Sequence, residues 1–404
     1  MHTPLSMSNS KRNEATTITR SVELFHLLED FITRERAHHR ESPVWWQVMK
    51  DAEASIGGLL SGEQALEEFR SEYMRSTGAG ASRLSMTSLV NWAMDRSIRG
   101  GPMETVADLE RYVASPTMPV RFSIGVRGVI VDSPLTLSEG IELLPRSDDV
   151  SSFEPRGQAP NSTAVLTALV DFPRISAPAN APATPKHDPA AAASTAAFER
   201  LHLARFSIAI ALHSRVVPTV STALPIPSVP SSGSRSGSSV SQAPNVPLRP
   251  FRSGEMEFLR DFHARVVALP RSLRARLSVA LHRWHDSFLH SGMGADVFID
   301  LGIGFESVFV SDKAPEIRYR LALRGARLLG GETVESRARM RRILETLYDL
   351  RSEAVHQGRI VGKIPPVVAP SAGHLAMDGE ELLRRAIIAM VYRGRDDWHE
   401  LELG

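Results

Sequence analysis

The chain contains no cysteine among its 404 residues. Disulfide bonds, thiol nucleophiles and cysteine-ligated zinc are therefore excluded. It also lacks an apolar run long enough to span a bilayer, and its polar first residues have no apolar core of the kind that signal peptides carry. We therefore expect a cytoplasmic protein that does not interact with a membrane.

An excess of charge of either sign is missing as well. The chain has 47 Lys and Arg residues against 46 Asp and Glu residues, which gives a formal net charge of +1. Such a balance produces no global attraction to nucleic acid or to an anionic membrane, so a site for a polyanion has to be a local cluster. The hydrophobic fraction of 42% is ordinary for soluble globular proteins, and the length suffices for two or three domains.

The hydropathy pattern divides the chain into four parts and predicts an α+β fold. Residues 1–17 are short and polar and are expected to be disordered. Residues 18–220 mix helical and strand periodicities, which predicts an N-terminal mixed α/β region that senses or binds something. Residues 221–250 are dominated by Ser, Pro and Gly and are expected to form an interdomain linker or a long loop. Every strong pattern in residues 251–404 is helical, which predicts a C-terminal all-α bundle.

Individual elements follow from the same patterns. Strands are expected at Val120–Val126, Val129–Val131, Ile141–Leu144 and Asn161–Phe172, and from Arg215 to Thr219. The sharpest helical stripe consists of Met340, Ile343, Leu344, Leu347 and Leu350. A last helix is expected to begin near a capping-box pair, Asp378 with Glu381.

One candidate catalytic pair lies at the end of the sharpest helix. The segment LYDLRSEAVHQG, residues 347–358, places four residues between Arg351 and His356. Spacing alone is a weak signal in an Arg-rich chain. Comparable pairs occur at Arg34 with His39, Arg20 with His26, and Arg283 with His290.

The sequence around Arg351 and His356 resembles the Apea-like subgroup of HEPN domains over roughly residues 295–395, about a quarter of the chain. In that subgroup a helix bearing a Glu precedes a helix of pattern EI-Y-LA-R-A-LL and a long helix that ends in LYDLRS-VH-G. The matching positions are Glu306, Glu316, Ile317, Tyr319, Leu321, Ala322, Arg324, Ala326, Leu328, Leu329, Leu347, Tyr348, Asp349, Arg351, Ser352, Val355, His356 and Gly358. The segment RFSIGVRGVIVDSPLTLSEGIELLP resembles, more loosely, the β-containing part that often precedes this domain. Gln357 departs from the pattern, since many relatives have Gly directly after His.

The resemblance implies a metal-independent endoribonuclease that needs no cofactor and acts in prokaryotic antiviral defence by abortive infection. His356 would take the proton of the RNA 2′-hydroxyl, a task that suits a side chain titrating near neutral pH. Arg351 would stabilise the charged phosphorane through its planar guanidinium. The product would be a 2′,3′-cyclic phosphate, and DNA would resist cleavage. Ser352, Glu353 and Glu306 are candidate supporting residues.

Geometry adds a constraint, because five residues on a straight helix correspond to roughly 140° of rotation. The side chains of Arg351 and His356 therefore diverge. Either the helix bends or ends near His356, as Gly358 permits, or a second molecule completes the site. HEPN relatives pair two protomers around one cleft, which implies a homodimer through the C-terminal bundle.

Other interpretations stay open. The C-terminal part could be a non-catalytic HEPN module that binds RNA or nucleotide or mediates dimerisation, or the chain could be a toxin held inactive by a partner. The N-terminal region could bind a phage or cellular trigger. Arg351 could simply pair with Asp349 or Glu353 on a solvated face, with His356 acting as a cation at the helix C-terminus.

Three further segments are weaker candidates. His282, His285 and Asp286 have a spacing that can bind metal, but histidine pairs on helices are common and an ordinary structural role is favoured. The segment Arg34–Trp46 mixes cations with aromatics and could touch RNA, although a solvated helix end followed by a buried Trp is favoured. GRIVGK at residues 358–363 is one residue short of a phosphate loop.

Overall fold

The computed structural model describes residues 17–38, 40, 42–70, 73–76, 81–146, 162–174, 176–178, 189–230, 236–239, 246–252, 254–289, 294–310, 316–360 and 362–403. The segment expected to be disordered, residues 1–17, lies outside the described residues except for its last position. The fold is mixed α+β, as the sequence predicts. None of the described helices is long and apolar enough to cross a membrane.

The N-terminal part begins with a group of helices. They are α1 (Ser21–Ala37), α2 (Pro43–Gly62), α3 (Glu67–Arg70), α4 (Met86–Gly100) and α5 (Pro102–Ala114), and two short strands, β1 (Tyr73–Ser76) and β2 (Ala81–Arg83), separate α3 from α4. Local capping fixes where these helices start. The Ser42 hydroxyl accepts the backbone N–H of Trp45 at 3.1 Å before α2, and Ser85 and Ser88 form a capping box before α4.

An antiparallel sheet follows. Its strands are β3 (Thr117–Arg127), β5 (Leu135–Ser138), β6 (Ile141–Pro145), β7 (Ala164–Pro173), β9 (Val217–Pro225) and β10 (Ser236–Ser239), in the order β10-β9-β3-β7-β6-β5. Shorter pairings involve β4 (Val129–Ile130), β8 (Ser176–Pro178) and β11 (Arg249–Pro250). The buried side chains of Val120, Phe122, Ile124 and Val126 confirm the alternation predicted for β3.

The helix α6 (Pro189–Leu212) covers this sheet and contacts β3 and β7. Phe198 on α6 packs edge-on against Phe122, with ring centroids 5.3 Å apart. Nearly every residue in the second half of α6 is buried, which is why this helix shows no polar face in the sequence.

The expectation of a linker or loop over residues 221–250 is wrong in part. Residues 221–225 continue β9, where they pair with β3, and residues 236–239 form β10 against β9. Val220, Thr222 and Ala223 are buried. The high content of Ser and Pro in residues 221–250 predicts a loop. A strand forms nevertheless at its start, because the neighbouring strands supply the backbone hydrogen-bond partners and small side chains suffice there. Residues 231–235 and 240–245 lie outside the described part of the chain.

The C-terminal part is helical, as the sequence predicts. Its helices are α7 (Glu255–Ala268), α8 (Arg271–Leu289), α9 (Ala295–Phe309), α10 (Ile317–Leu329), α11 (Val334–Gln357), α12 (Ala372–Arg393) and α13 (His399–Leu403). The capping box expected at Asp378 and Glu381 is wrong, because both residues lie inside α12. That helix begins after Ser371, whose hydroxyl accepts the backbone N–H of His374 at 3.4 Å.

The two parts share one hydrophobic core. A single cluster of buried side chains extends from Ile18 in the first part to Trp398 near the end of the second. Helix α6 provides the contact, since it packs on the sheet and also on α7 and α8. The packing of the described residues therefore shows no break at the division between an α/β region and a bundle that the sequence suggested.

Candidate functional site

Helix α11 carries both residues of the candidate pair. Its apolar stripe, including Leu344 and Leu347, is buried against α9 and α10. The helix ends at Gln357, and Gly358 follows in the left-handed conformation with a φ of 66°. The Gly358 N–H donates to the Ala354 carbonyl at 2.9 Å. This confirms that the helix ends next to His356, where a glycine tolerates the positive φ that stops it.

The Arg351 side chain points from α11 toward α9. Its Nη2 atom lies 3.3 Å from Oε1 of Glu306. The aliphatic part of Arg351 passes over Gly302, where an added Cβ would lie 2.8 Å from the Arg351 Cβ and still closer to its Cγ. The guanidinium also lies 5.9 Å from the centre of the Tyr348 ring. Glu306 and the space above Gly302 together orient the arginine.

The Glu306–Arg351 contact is half-buried, with 24% of each side chain exposed. Burial raises the pKa of Glu306 above its usual value, and the charge of Arg351 opposes that rise. The Nε atom of Arg351 is buried and makes no hydrogen bond within the part of the chain that the structure describes. An unpartnered buried donor is costly, and this one is enclosed by protein, so a ligand can reach the guanidinium only through the exposed part of the side chain.

The alternative partners considered for Arg351 are engaged elsewhere. Asp349 accepts a bidentate pair of hydrogen bonds from Arg318 on α10, at 2.7 and 2.8 Å. Glu353 accepts the backbone N–H of Gly362 at 2.9 Å. The interpretation in which Arg351 pairs with Asp349 or Glu353 on a solvated face is therefore wrong, because its partner is Glu306.

His356 is exposed and lines a groove of about 490 Å³ beside the end of α11. The groove is bordered by Thr346, Asp349, Leu350, Ser352, Glu353, His356, Gln357, Gly362, Lys363 and Pro365. Two supporting candidates, Ser352 and Glu353, thus lie on the His356 side, whereas Glu306 lies with Arg351. Arg351 does not border this groove, as the rotation between the two positions predicts, so the described part of the chain does not bring the pair together in it.

Sequence reasoning missed two residues of this region. Gly302 was not singled out, although a glycine inside an apolar helical stripe signals a close approach of another group. Lys363 was weighed only as the end of a phosphate loop, and its place in the His356 groove depends on how the chain turns after Gly358, which no spacing rule predicts.

Of the residues considered as a metal site, His285 belongs to a buried network between α6 and α8, whereas His282 is exposed and Asp286 is partly exposed. The His285 Nε2 atom lies 3.1 Å from the Val216 carbonyl oxygen and 3.0 Å from Nη1 of Arg205. Arg205 donates to the same carbonyl at 2.7 Å, and the His282 ring packs 4.5 Å from that of Phe206. Among the described residues, no group of three His, Asp or Glu side chains could hold a metal ion.

Burial dominates the titration of this network. It lowers the pKa of the Arg205 guanidinium to about 10 and the pKa values of His202 and His263 to about 4. The pKa of His285 is lowered for the same reason. These imidazoles are therefore neutral near pH 7 and join the sheet side of the molecule to the helices.

The weaker candidates near the N-terminus are not brought together as a site. Arg34 forms ion pairs with Asp51 at 3.3 Å and with Asp30 at 3.6 Å, and His39 lies outside the described residues. The expected burial of a Trp is wrong for Trp46, which is 59% exposed.

Comparison with known proteins supplies no family for this chain, since no family model, no curated protein and no solved structure matches it.

Proposed function

We propose that this chain is a metal-independent endoribonuclease of the HEPN type, with its C-terminal helices as the HEPN bundle and Arg351 and His356 as the catalytic pair. The carrying observation is the state of Arg351. Glu306 and Gly302 orient its side chain, and 24% of that side chain stays exposed to solvent. An oriented guanidinium that a phosphate can reach is what stabilising a phosphorane requires.

The reaction follows from the chemistry of the two side chains. The neutral imidazole of His356 removes the proton of the 2′-hydroxyl, and the resulting oxygen attacks the adjacent phosphorus. Arg351 neutralises the added charge on the phosphoryl oxygens. The bond from phosphorus to the 5′-oxygen then breaks, and that oxygen takes a proton from solvent. The exposure of His356 on the rim of a groove suits this role, because a general base must reach its substrate.

The site is proposed to be complete only in a pair of chains. Arg351 and His356 lie on different sides of α11, so Arg351 of one copy would meet His356 of the other. Exposed apolar side chains near this end of α11 support such a contact: Val355 is 50% exposed, Tyr319 45% and Ile317 38%. The ion pair between Arg318 and Asp349 places the start of α10, which carries Ile317 and Tyr319, beside α11.

The biological context is proposed on the resemblance alone. Such a nuclease would act in the cytoplasm during prokaryotic antiviral defence, and the part of the chain up to residue 220 would respond to a phage or cellular trigger. The alternatives are a non-catalytic module that binds RNA or nucleotide or dimerises, and a toxin that a partner silences.

Incubation of the full chain with total cellular RNA in excess EDTA tests the proposal. Wild-type protein is expected to cut RNA and to leave 2′,3′-cyclic phosphate ends, whereas Arg351→Ala and His356→Ala abolish cleavage without unfolding the chain. Arg34→Ala should retain full activity, because Arg34 and His39 have the same spacing as the candidate pair but are not proposed to be catalytic. RNA that is bound but never cut, with or without a trigger, would favour the binding module.

A further inference from the structure

The groove that His356 borders is also lined by a lysine, Lys363, from the segment that follows α11. Lys363 is exposed, and Gly362 before it is fastened to α11 by the hydrogen bond from its N–H to Glu353 at 2.9 Å. A side chain at Gly362 would crowd that carboxylate, since an added Cβ would lie 3.1 Å from Glu353 Oε2. The hydrogen bond to Glu353 therefore fixes the position of the backbone from which the Lys363 side chain extends.

The acidic residues that border the groove are already engaged. Both carboxylate oxygens of Asp349 accept hydrogen bonds from the Arg318 guanidinium, and Oε2 of Glu353 accepts the Gly362 N–H. Their charge is thereby offset in part, whereas the Lys363 ammonium faces the open groove. Arg351 does not border it, so among the described residues that line the groove Lys363 is the one with a permanent positive charge.

We propose that Lys363 binds a backbone phosphate of single-stranded RNA in this groove and that Glu353 is a positioning residue for it. This inference rests on the proposed nuclease function, because it places in the groove the RNA strand whose 2′-hydroxyl His356 deprotonates. An ammonium group acts there as a mobile point charge, which suits a phosphate that is held rather than cleaved. Lys363 thus contributes to substrate binding, and Arg351 to the reacting phosphate.

The binding step is measurable without cleavage. A fluorescent 2′-O-methyl RNA oligonucleotide has no free 2′-hydroxyl to react, so its affinity for the full chain reports on binding without cleavage. Lys363→Gln is expected to weaken binding about fivefold at low salt, the size typical of one solvent-exposed ion pair, and to lower the slope of log affinity against log salt by about 0.7. Lys363→Arg retains the charge and should retain the affinity.

Matched variants separate positioning from net charge. Lys50→Gln removes the other lysine whose side chain the structure describes, exposed on α2, and should leave binding unchanged. Glu353→Ala removes a negative charge, which by electrostatics alone tightens binding, yet is expected to weaken it because the Gly362 segment is released. Glu353→Gln keeps a carbonyl acceptor for Gly362 and should restore binding.

The outcomes distinguish this inference from the proposed function. Lys363→Gln binding the oligonucleotide as tightly as wild type at every salt concentration would overturn the inference, even if the wild type cuts RNA. Weakened binding by Lys363→Gln in a chain that never cuts RNA would support the groove and contradict the nuclease. Displacement of the oligonucleotide by inorganic phosphate at equal phosphate concentration would also overturn the inference, since the groove would then take a free ion.

Discussion

Gly302 allows the orientation of Arg351 to be disturbed without changing Arg351 itself. In Gly302→Ala the new methyl group would lie 2.8 Å from Arg351 Cβ and 3.2 Å from its Cδ, and Cγ would be closer still. A new Arg351 rotamer can relieve the contacts with Cγ and Cδ, but Cβ is fixed to the backbone of α11, so its contact requires a wider spacing between α9 and α11. Either change moves the guanidinium away from Glu306.

The expected size of the effect follows from two opposing contributions. Overpacking of a close helix contact costs about 1–3 kcal/mol, while replacing Gly by Ala inside a helix stabilises by about 0.5–1 kcal/mol. Gly302→Ala should therefore lower the free energy of unfolding by about 1–2 kcal/mol. The loss of RNA cleavage should be much larger, on the order of 100-fold in kcat, because misplacing a catalytic group by about 1 Å has that effect.

Two other glycines provide controls. Gly325→Ala on α10 would crowd Leu344 at a distance below 3.0 Å and Phe309 at 3.2 Å, so it strains the same bundle away from Arg351 and should retain cleavage. Gly58→Ala on α2 meets nothing within 4 Å and should be slightly stabilising. Urea unfolding and cleavage by the folded fraction would be measured for all three. Equal activity of Gly302→Ala and wild type, or equal loss in Gly325→Ala, would refute the reasoning.

Two predictions concern the buried network between α6 and its neighbours. Burial depresses the pKa values of His202 and His263 to about 4, so the stability that their neutral forms provide is present above pH 6.5 and is lost as the pH falls toward 4. Urea titrations at pH 7 and pH 5 should show the loss, and His263→Gln should reduce it; identical pH dependence in that variant would contradict the assignment. Arg205→Ala should lower stability by about 2–4 kcal/mol, because it leaves a cavity and removes the contacts of the guanidinium with the Val216 carbonyl and with His285 Nε2. A change below about 1 kcal/mol would show that the network contributes little.

Much of the fold could be predicted from the local periodicity of hydrophobic residues. The alternation from Val120 to Val126 and the stripe from Met340 to Leu350 each reflect a face that is buried against a neighbour, so the sequence reveals them directly. The pattern fails where tertiary context decides. Residues 221–225 open a segment that is rich in Ser, Pro and Gly, but they gain backbone partners from β3. Helix α12 starts after Ser371 because that residue, not Asp378, supplies the cap.

For the candidate site, the sequence predicts what depends on helix α11 itself but not the contacts that other segments make with it. The divergence of Arg351 and His356 follows from the period of the helix, and the helix stop follows from Gly358. The Glu306 partner comes from another helix, 45 residues away in sequence, and a contact at that separation depends on how α9 and α11 pack. The same holds for Lys363, whose place depends on the hydrogen bond between Gly362 and Glu353.

The most direct test of a shared catalytic site is to mix two inactive variants. Arg351→Ala and His356→Ala chains would be combined, allowed to exchange subunits, and assayed for RNA cleavage in EDTA. Random exchange makes half of the dimers mixed, each with one of its two sites intact, so cleavage is expected to recover to about a quarter of the wild-type rate. A mixture that exchanges subunits yet stays as inactive as each variant alone, beside an active wild type, would contradict the account.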